Sequence, residues 1–334
     1  MQTHATLNDP AQTRLPLSTA DLAQLRFAYS PIWELILSIR LLQSPERHAL
    51  YTGWLQCTLP KLADLDLRLL TSLIRPSGYF PDFLTPPPAS SHPSFAGELA
   101  QLAKTPPEQI QQQVQHAIGE QAPDSVQARY LRQPAASLRQ LVDLLERYWQ
   151  RALAEHWPGL QRVLEGDVLA RGHSLALGGP TQVFQELHPG LRFDQNDLVL
   201  SKRTCKGQIT LGERGLVLIP SVFAWPEIYL LCDAIGQPCI CYSARGVGLW
   251  DSEQSRPDAA LTAAVGESRS LLLRALVTPI STGDLAAMLH LSPGAVSQQL
   301  TRLTSAGLAE SQRHGRRVYY QLSSRGERLL SLFS

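Results

Sequence analysis

Residues 279–322 read PISTGDLAAMLHLSPGAVSQQLTRLTSAGLAESQRHGRRVYYQL, and the punctuation of this stretch decides how the end of the chain is built. Ser292 suits a helix N-cap, and Pro293 stands at the first helical position, where its missing N–H costs nothing. Val296, Leu300 and Leu303 follow at i, i+4 and i+7, one apolar stripe that must pack against something. Gly294, Gln298, Thr301 and Arg302 fall on the other side, with Ser297 at the flank. Gly307 closes the helix as a left-handed glycine does. Ahead of it, Ser281 and Asp284 have the spacing of a capping box, and Leu285, Met288 and Leu289 supply the buried face of a shorter helix. The three residues 290–292 form a connection short enough for a helix-turn-helix corner.

Downstream, Leu308-Ala309-Glu310 and the β-rich residues 318–322 flank a polar tip with Arg313, His314, Gly315, Arg316 and Arg317. That is a hairpin whose tip carries three arginines. Taken alone, a Gln- and Ser-rich helix face is a solvated face, and a basic tip is a solubility feature. Together and in this order they resemble the winged helix-turn-helix of bacterial ArsR/SmtB-type transcriptional repressors.

The resemblance implies double-stranded DNA as the partner. It places the residues equivalent to Ser297 and Gln298 against the bases, while Gln299 stands where relatives often carry histidine. The chemistry suits the assignment, because the major groove accepts one helix and glutamine can donate and accept at once, as adenine requires. Ser292, Gly294, Thr301 and Arg302 complete the candidate helix surface. Arg313, His314, Arg316 and Arg317 are the candidate contacts to phosphates or the neighbouring minor groove. One such module spans only a few base pairs, so a homodimer on an inverted-repeat operator is expected. The helix read over residues 259–277 is a candidate for the dimer seam or for the core of the module.

Charge is divided along the chain in the same sense. From Asp258 onward there are eight arginines against five carboxylates, giving +3, which leaves −2 on the rest of a chain with net charge +1. A basic module on a slightly acidic body is the electrostatic form of a nucleic-acid binder. With 334 residues and 44% hydrophobic content, two or three domains with real cores are expected. No apolar run approaches the roughly 18–20 residues of a membrane span. The first 20 residues lack the apolar core of a secretory signal and read as a disordered lead-in. Five cysteines (57, 205, 232, 239 and 241) are thinly spread, as in a cytoplasmic protein with reduced thiols.

Residues 21–190 read as the helical part of a regulatory domain, 191–251 as its β-rich part, and 259–334 as the winged helix-turn-helix. The fold class is thus α+β, mostly helical with a small antiparallel sheet. Apolar spacing predicts helices after Pro31, over 62–74, around Leu138 to Tyr148, and from Pro158 to about Leu177. Thr105-Pro-Pro-Glu108 has the pattern of a full capping box. Residues 208–211 and 216–219 flank a four-residue loop as a hairpin would. The proline-rich residues 75–88 carry Tyr79, Phe80 and Phe83, which with Phe223 and Trp225 form a candidate ligand pocket; a rigid strap is the plainer reading. Residues 79–87 and 244–247 resemble the long domain ahead of the winged helix in larger ArsR-like regulators. That resemblance implies an α+β sensor or interaction domain and supplies no ligand.

The usual metal switch of that family is disfavoured. The first helix of the helix-turn-helix has no cysteine and the C-terminal helix has no histidine pair. Cys239 and Cys241 share one face of a strand, with Cys232 as a possible neighbour, so a zinc- or redox-responsive regulator is the alternative to three small buried core residues. No nucleophile elbow, phosphate loop, dinucleotide fingerprint or His–Glu zinc motif is present, so neither catalysis nor a cofactor is expected. A small-molecule effector or a protein partner acting on the middle of the chain remains the expected signal, with an enzymatic module as the other reading of that region.

Overall fold

The computed structural model describes residues 13–44, 50–188, 190–194, 196–200, 211–231, 236–248, 250, 259–289, 291–314 and 317–333. The described residues open on a strand, β1 (Thr13–Pro16), within the 20 residues that the sequence suggests are a lead-in. Leu15 and Leu17 alternate into a core, and the strand's partner lies some 180 residues away, so no local signal announces it. A capping box between Ser18 and Asp21 starts α1 (Thr19–Ala23), and β2 (Arg26–Phe27) follows. Next comes α2 (Pro31–Leu42), with Ser30 capping Trp33 N and proline in the first turn. Eleven of its twelve residues are buried, which explains why it is apolar all round.

The next helices are α3 (Thr52–Leu62) and α4 (Arg68–Thr71). The expected helix over 62–74 shrinks to that single turn, because Asp66 accepts from Arg68 N–H and starts it locally (3.1 Å). Residues 75–88 form the strap, with a 3-10 turn at Asp82–Leu84. Then follow α5 (Phe95–Leu102), α6 (Pro107–Ile118), α7 (Ser125–Arg132), α8 (Pro134–Ala152) and α9 (Trp157–Leu187). The capping box at Thr105 does not form. Pro106 takes the N-cap position, and the Thr105 hydroxyl turns back to Leu102 O at the end of α5 (2.7 Å). In α9 the helical path breaks at Gly179, whose φ of 68° lies in the left-handed region.

Two sheets follow instead of one. An antiparallel sheet joins β1 to β3 (Leu191–Asp194) through the central β4 (Asp197–Leu200). The other has the order β2–β5–β7–β6, from β5 (Val217–Ser221), β6 (Tyr229–Leu231) and β7 (Cys239–Ser243). Both edges of β5 carry parallel partners, β2 and β7, so residues 216–219 are not one arm of the expected hairpin. Of its other proposed arm, 208–211, residues 208–210 lie outside the described residues. The strand β7 is buried on both faces, as strands of parallel sheets are. Cys239 and Cys241 join the main core, while Ile240 and Tyr242 join a second core shared with β1, β4 and the end of α9.

The C-terminal elements are α10 (Ala259–Val265), α11 (Glu267–Ala275), β8 (Ile280–Ser281), α12 (Thr282–Met288), α13 (Pro293–Ser305), β9 (Ala309–His314), β10 (Arg317–Leu322) and α14 (Ser324–Ser331). The single helix read over 259–277 is broken at Gly266, with φ +83°. The main core runs without interruption from Ala28 to Leu330, so the last module is packed onto the body. No helix among the described residues is long and apolar enough to cross a membrane.

One buried acid fixes α2 to that sheet. Glu34 accepts Val222 N–H at 2.9 Å and Phe223 N–H at 3.4 Å, just after β5. Burial outweighs those hydrogen bonds and pushes its carboxyl up from 4.5 to about 8. A raised folded-state value stabilises fully below 4.5, and that contribution is lost as the pH rises through about 8. Glu98 on α5, pushed by burial to about 7, acts in the same direction. The melting temperature is therefore expected to fall as the pH rises from about 4.5 to about 8 and to level off above that, and Glu34→Gln to remove much of that fall in calorimetry. An equal fall in the variant would acquit Glu34.

Candidate nucleic-acid interface

The helix α13 is set by its own ends and by one stripe. The Ser292 hydroxyl accepts Ala295 N–H at 3.2 Å, and Pro293 takes the first turn. Val296, Leu300 and Leu303 are buried in the core. Periodicity then leaves Gly294, Ser297, Gln298, Thr301 and Arg302 exposed, the same residues that the sequence placed outward. The Thr301 hydroxyl donates to Ser297 O at 2.9 Å, which holds it along the helix. A Cβ at Gly294 would meet nothing within 4 Å, so the glycine leaves open space at the start of the helix. Gln299 faces partly inward, and its buried Oε1 has no hydrogen-bond partner.

The wing is the β9–β10 hairpin, in register from Arg317 opposite His314 to Leu322 opposite Ala309, with β8 on the far side of β10. Arg313 is exposed near the tip. His314 and Arg317 are paired through the backbone; Gly315 and Arg316 lie outside the described residues. The helix α12 carries the other half of the motif, with Ser281 Oγ accepting Asp284 N–H at 3.2 Å and donating to its carboxylate at 2.8 Å.

A buried ionic group joins this module to the body. Arg245, in the turn after β7, is only 5% exposed. It donates to Glu186 Oε2 at 2.6 Å, to Asp284 Oδ2 at 3.3 Å and through its backbone N–H to Asp167 Oδ1 at 2.9 Å. Glu186 Oε2 also receives Arg171 at 3.1 Å and the Ser174 hydroxyl at 3.0 Å. Its Oε1 receives Gln182 at 3.0 Å and the Tyr319 hydroxyl of the wing. The Tyr242 hydroxyl donates to Asp167 at 2.6 Å. Burial pushes the Glu186 carboxyl up, but the Tyr319 hydroxyl and the two guanidiniums outweigh it and hold the group below its ordinary value. The carboxylate is therefore charged, as its cationic partners require.

Two close approaches flank this group. Arg274 Nε donates to Gly248 O at 2.7 Å, and a Cβ on Gly248 would come within 1.9 Å of Arg274 O. Trp225 Nε1 donates to Val277 O at 3.2 Å. Nearby, a cleft of about 350 Å³ opens between Gln185, His188 and Phe193 of the body and Gln312, Tyr319 and Tyr320 of the wing. None of these joint residues stood out in the sequence for this role. Asp284 was legible only as a cap, and Arg245 only inside the family-like residues 244–247.

The five aromatics of the candidate pocket have separate surroundings. Tyr79 meets His116 edge-on at 4.7 Å, and Phe80 lies against Tyr229 and the Arg40 guanidinium. Phe83 N–H donates to Gln113 at 2.7 Å. Phe223 is packed among Tyr51, Trp54 and Trp250, while Trp225 reaches the module. Phe80 and Phe83 of the strap join the main core, while Tyr79 is half-buried.

Residues 267–311 match the family described as bacterial regulatory protein, arsR family, and residues 112–248 match a family of unknown function, DUF5937. Among solved structures, HlyU from Vibrio cholerae N16961 is 30% identical over 24% of this chain and 90% of that chain, with a TM-score of 0.19. Its reduced form is 31% identical over 25% and 93%, with a TM-score of 0.20. The transcriptional regulator HlyU from Vibrio vulnificus CMCP6 is 33% identical over 25% and 92%, with a TM-score of 0.19. No curated protein matches. Exposed recognition helix, corner and wing define the C-terminal module as a winged helix-turn-helix. That part of the chain belongs to the ArsR family of bacterial regulators, and the protein is a DNA-binding transcriptional regulator.

The cysteines stand apart from this surface. Cys239 and Cys241 are buried in β7, and Cys57 is exposed; Cys232 lies outside the described residues. Burial, with the charge of Glu34 nearby, pushes the Cys241 thiol well above its ordinary value, which opposes the thiolate that metal binding or disulfide exchange requires. Among the described residues no group of three or more metal-ligating side chains forms. Brief thiol labelling of the native protein, mapped by peptide mass, is expected to modify Cys57 and spare Cys239 and Cys241. Rapid labelling of either strand cysteine would revive the redox reading.

Proposed function

We propose that this regulator binds an inverted-repeat operator as a homodimer and represses transcription, with its DNA affinity set through the body of the chain. The module comprises residues 259–334, and residues 21–251 form the regulatory part. The observation that carries the reading is the outward set Ser297, Gln298, Thr301 and Arg302 on one helix, locked by a buried stripe and followed by a wing with Arg313 near its tip. Gln298 and Ser297 are the base-reading side chains. Ser292 and Gly294 approach the backbone, and Arg302, Arg313, His314, Arg316 and Arg317 are the phosphate contacts. Duplex DNA places the protein in the cytoplasm. The effector is a small molecule or a protein acting on the body, with no catalysis or cofactor assigned.

Selection of a duplex from a random pool by the full chain tests this directly. Gln298→Ala is expected to lose discrimination at one or two base positions by roughly tenfold, since a bidentate contact contributes about 1–3 kcal/mol. Arg316→Ala with Arg317→Ala is expected to weaken binding to every duplex and to lower the salt slope by about one per lost phosphate contact. No enriched sequence, together with unchanged salt dependence, would remove the assignment.

A further inference from the structure

The joint between body and module contains more charge than a packing contact needs. Arg171 and Arg245 face Asp167 and Glu186, all four 5% exposed or less, so the buried set is neutral within itself. Two further groups reach this set from the DNA-binding side. Asp284, from the first helix of the motif, meets Arg245; Tyr319, from the wing, meets Glu186. The body thus grips both structural neighbours of α13 through one pair of side chains. On the body side these lie in residues 244–248 and at the end of α9 beyond its break at Gly179. Both lie within the stretch matched by the family of unknown function, and residues 244–248 close it. The cleft beside the wing opens onto Tyr319 and onto Gln185, the residue next to Glu186.

We propose that residues 244–248, acting through Arg245 together with Glu186, are the coupling element of the protein: they hold Asp284 and Tyr319 so that recognition helix and wing meet DNA in one orientation, and loosening that hold lowers DNA affinity. This rests on the DNA-binding reading. Fixed orientation matters because two modules must meet two half-sites at a set spacing. The route is physical: one carboxylate serves Arg171 and Arg245 in the body and Tyr319 in the wing, so a movement that favours one partner loosens the other. Glu186 and Arg245 are positioning residues and touch no DNA.

Substituting Arg245 or Glu186 would strand a buried charge and risk the fold. The test therefore uses the module side, where Tyr319→Phe and Asp284→Asn each remove one tie and leave the four-charge set intact. The Asp284 side chain is 38% exposed, so its neutralisation leaves little buried imbalance. In the full chain, hydrogen exchange of α12 and β10 is expected to quicken about tenfold in each variant, while β5 and β7 keep their wild-type protection. On the duplex selected by the wild type, affinity is expected to fall about tenfold with the salt slope unchanged, because the phosphate contacts remain. Faster exchange with undiminished affinity, unchanged exchange, or protection lost throughout the body would each overturn the proposal by making the joint a staple alone. A wild-type chain that enriches no duplex defeats the DNA reading instead, and the exchange arm still judges the joint.

Discussion

A guanidinium does not shed its proton, and stripping it of water is costly, so a buried arginine must be met by carboxylates wherever the fold can bring them. Arg171 and Arg245 impose that requirement at the centre of this protein. Asp167 lies one turn before Arg171, within salt-bridge distance at 3.5 Å, and receives Tyr242 and the Arg245 backbone. Glu186 has to come back from fifteen residues further along the same helix, which is possible only because α9 breaks between them. The strand β7 must end where it does to deliver Arg245, and the C-terminal module must lie against that turn to use it.

What the sequence showed clearly was local. Val296, Leu300 and Leu303 fix which way α13 faces, and the same spacing predicts Ser297 and Gln298 outward. Caps at Ser292 and Ser281, the glycine at 307 and the hairpin register are likewise written within a few residues of where they act. The helices after Pro31, around Leu138 to Tyr148 and after Pro158 were legible from apolar spacing. The α+β class followed from the same patterns.

The rest depends on contacts between distant residues. The strand β1 has its partner near residue 200, so a polar lead-in was the natural reading of Thr13-Arg14-Leu15-Pro16. The parallel neighbours of β5 lie on segments that carry no hairpin signal, and a four-residue loop suggested the wrong partner. At Thr105, correct capping letters lost to the end of the preceding helix, which had the nearer carbonyl. The joint is the clearest case, with partners 39, 59 and 133 residues apart in three of its cross-element hydrogen bonds. Periodicity reads a DNA-facing surface but has no means of reading what steadies it.

The break in α9 gives the molecule an unusual mechanical property. Gly179 adopts a left-handed conformation that a side chain would resist. The long arm before it is fastened into the body by Leu160 and Leu164, and the short arm after it carries Gln182 and Glu186. A single backbone torsion therefore acts as a pivot between a fixed beam and a short crank whose tip holds the wing. Because Val183, Phe184 and Leu187 on the short arm are buried in the second core, the crank can displace Tyr319 only together with that core, which ties the setting of the wing to the sheet of β1, β4 and β3.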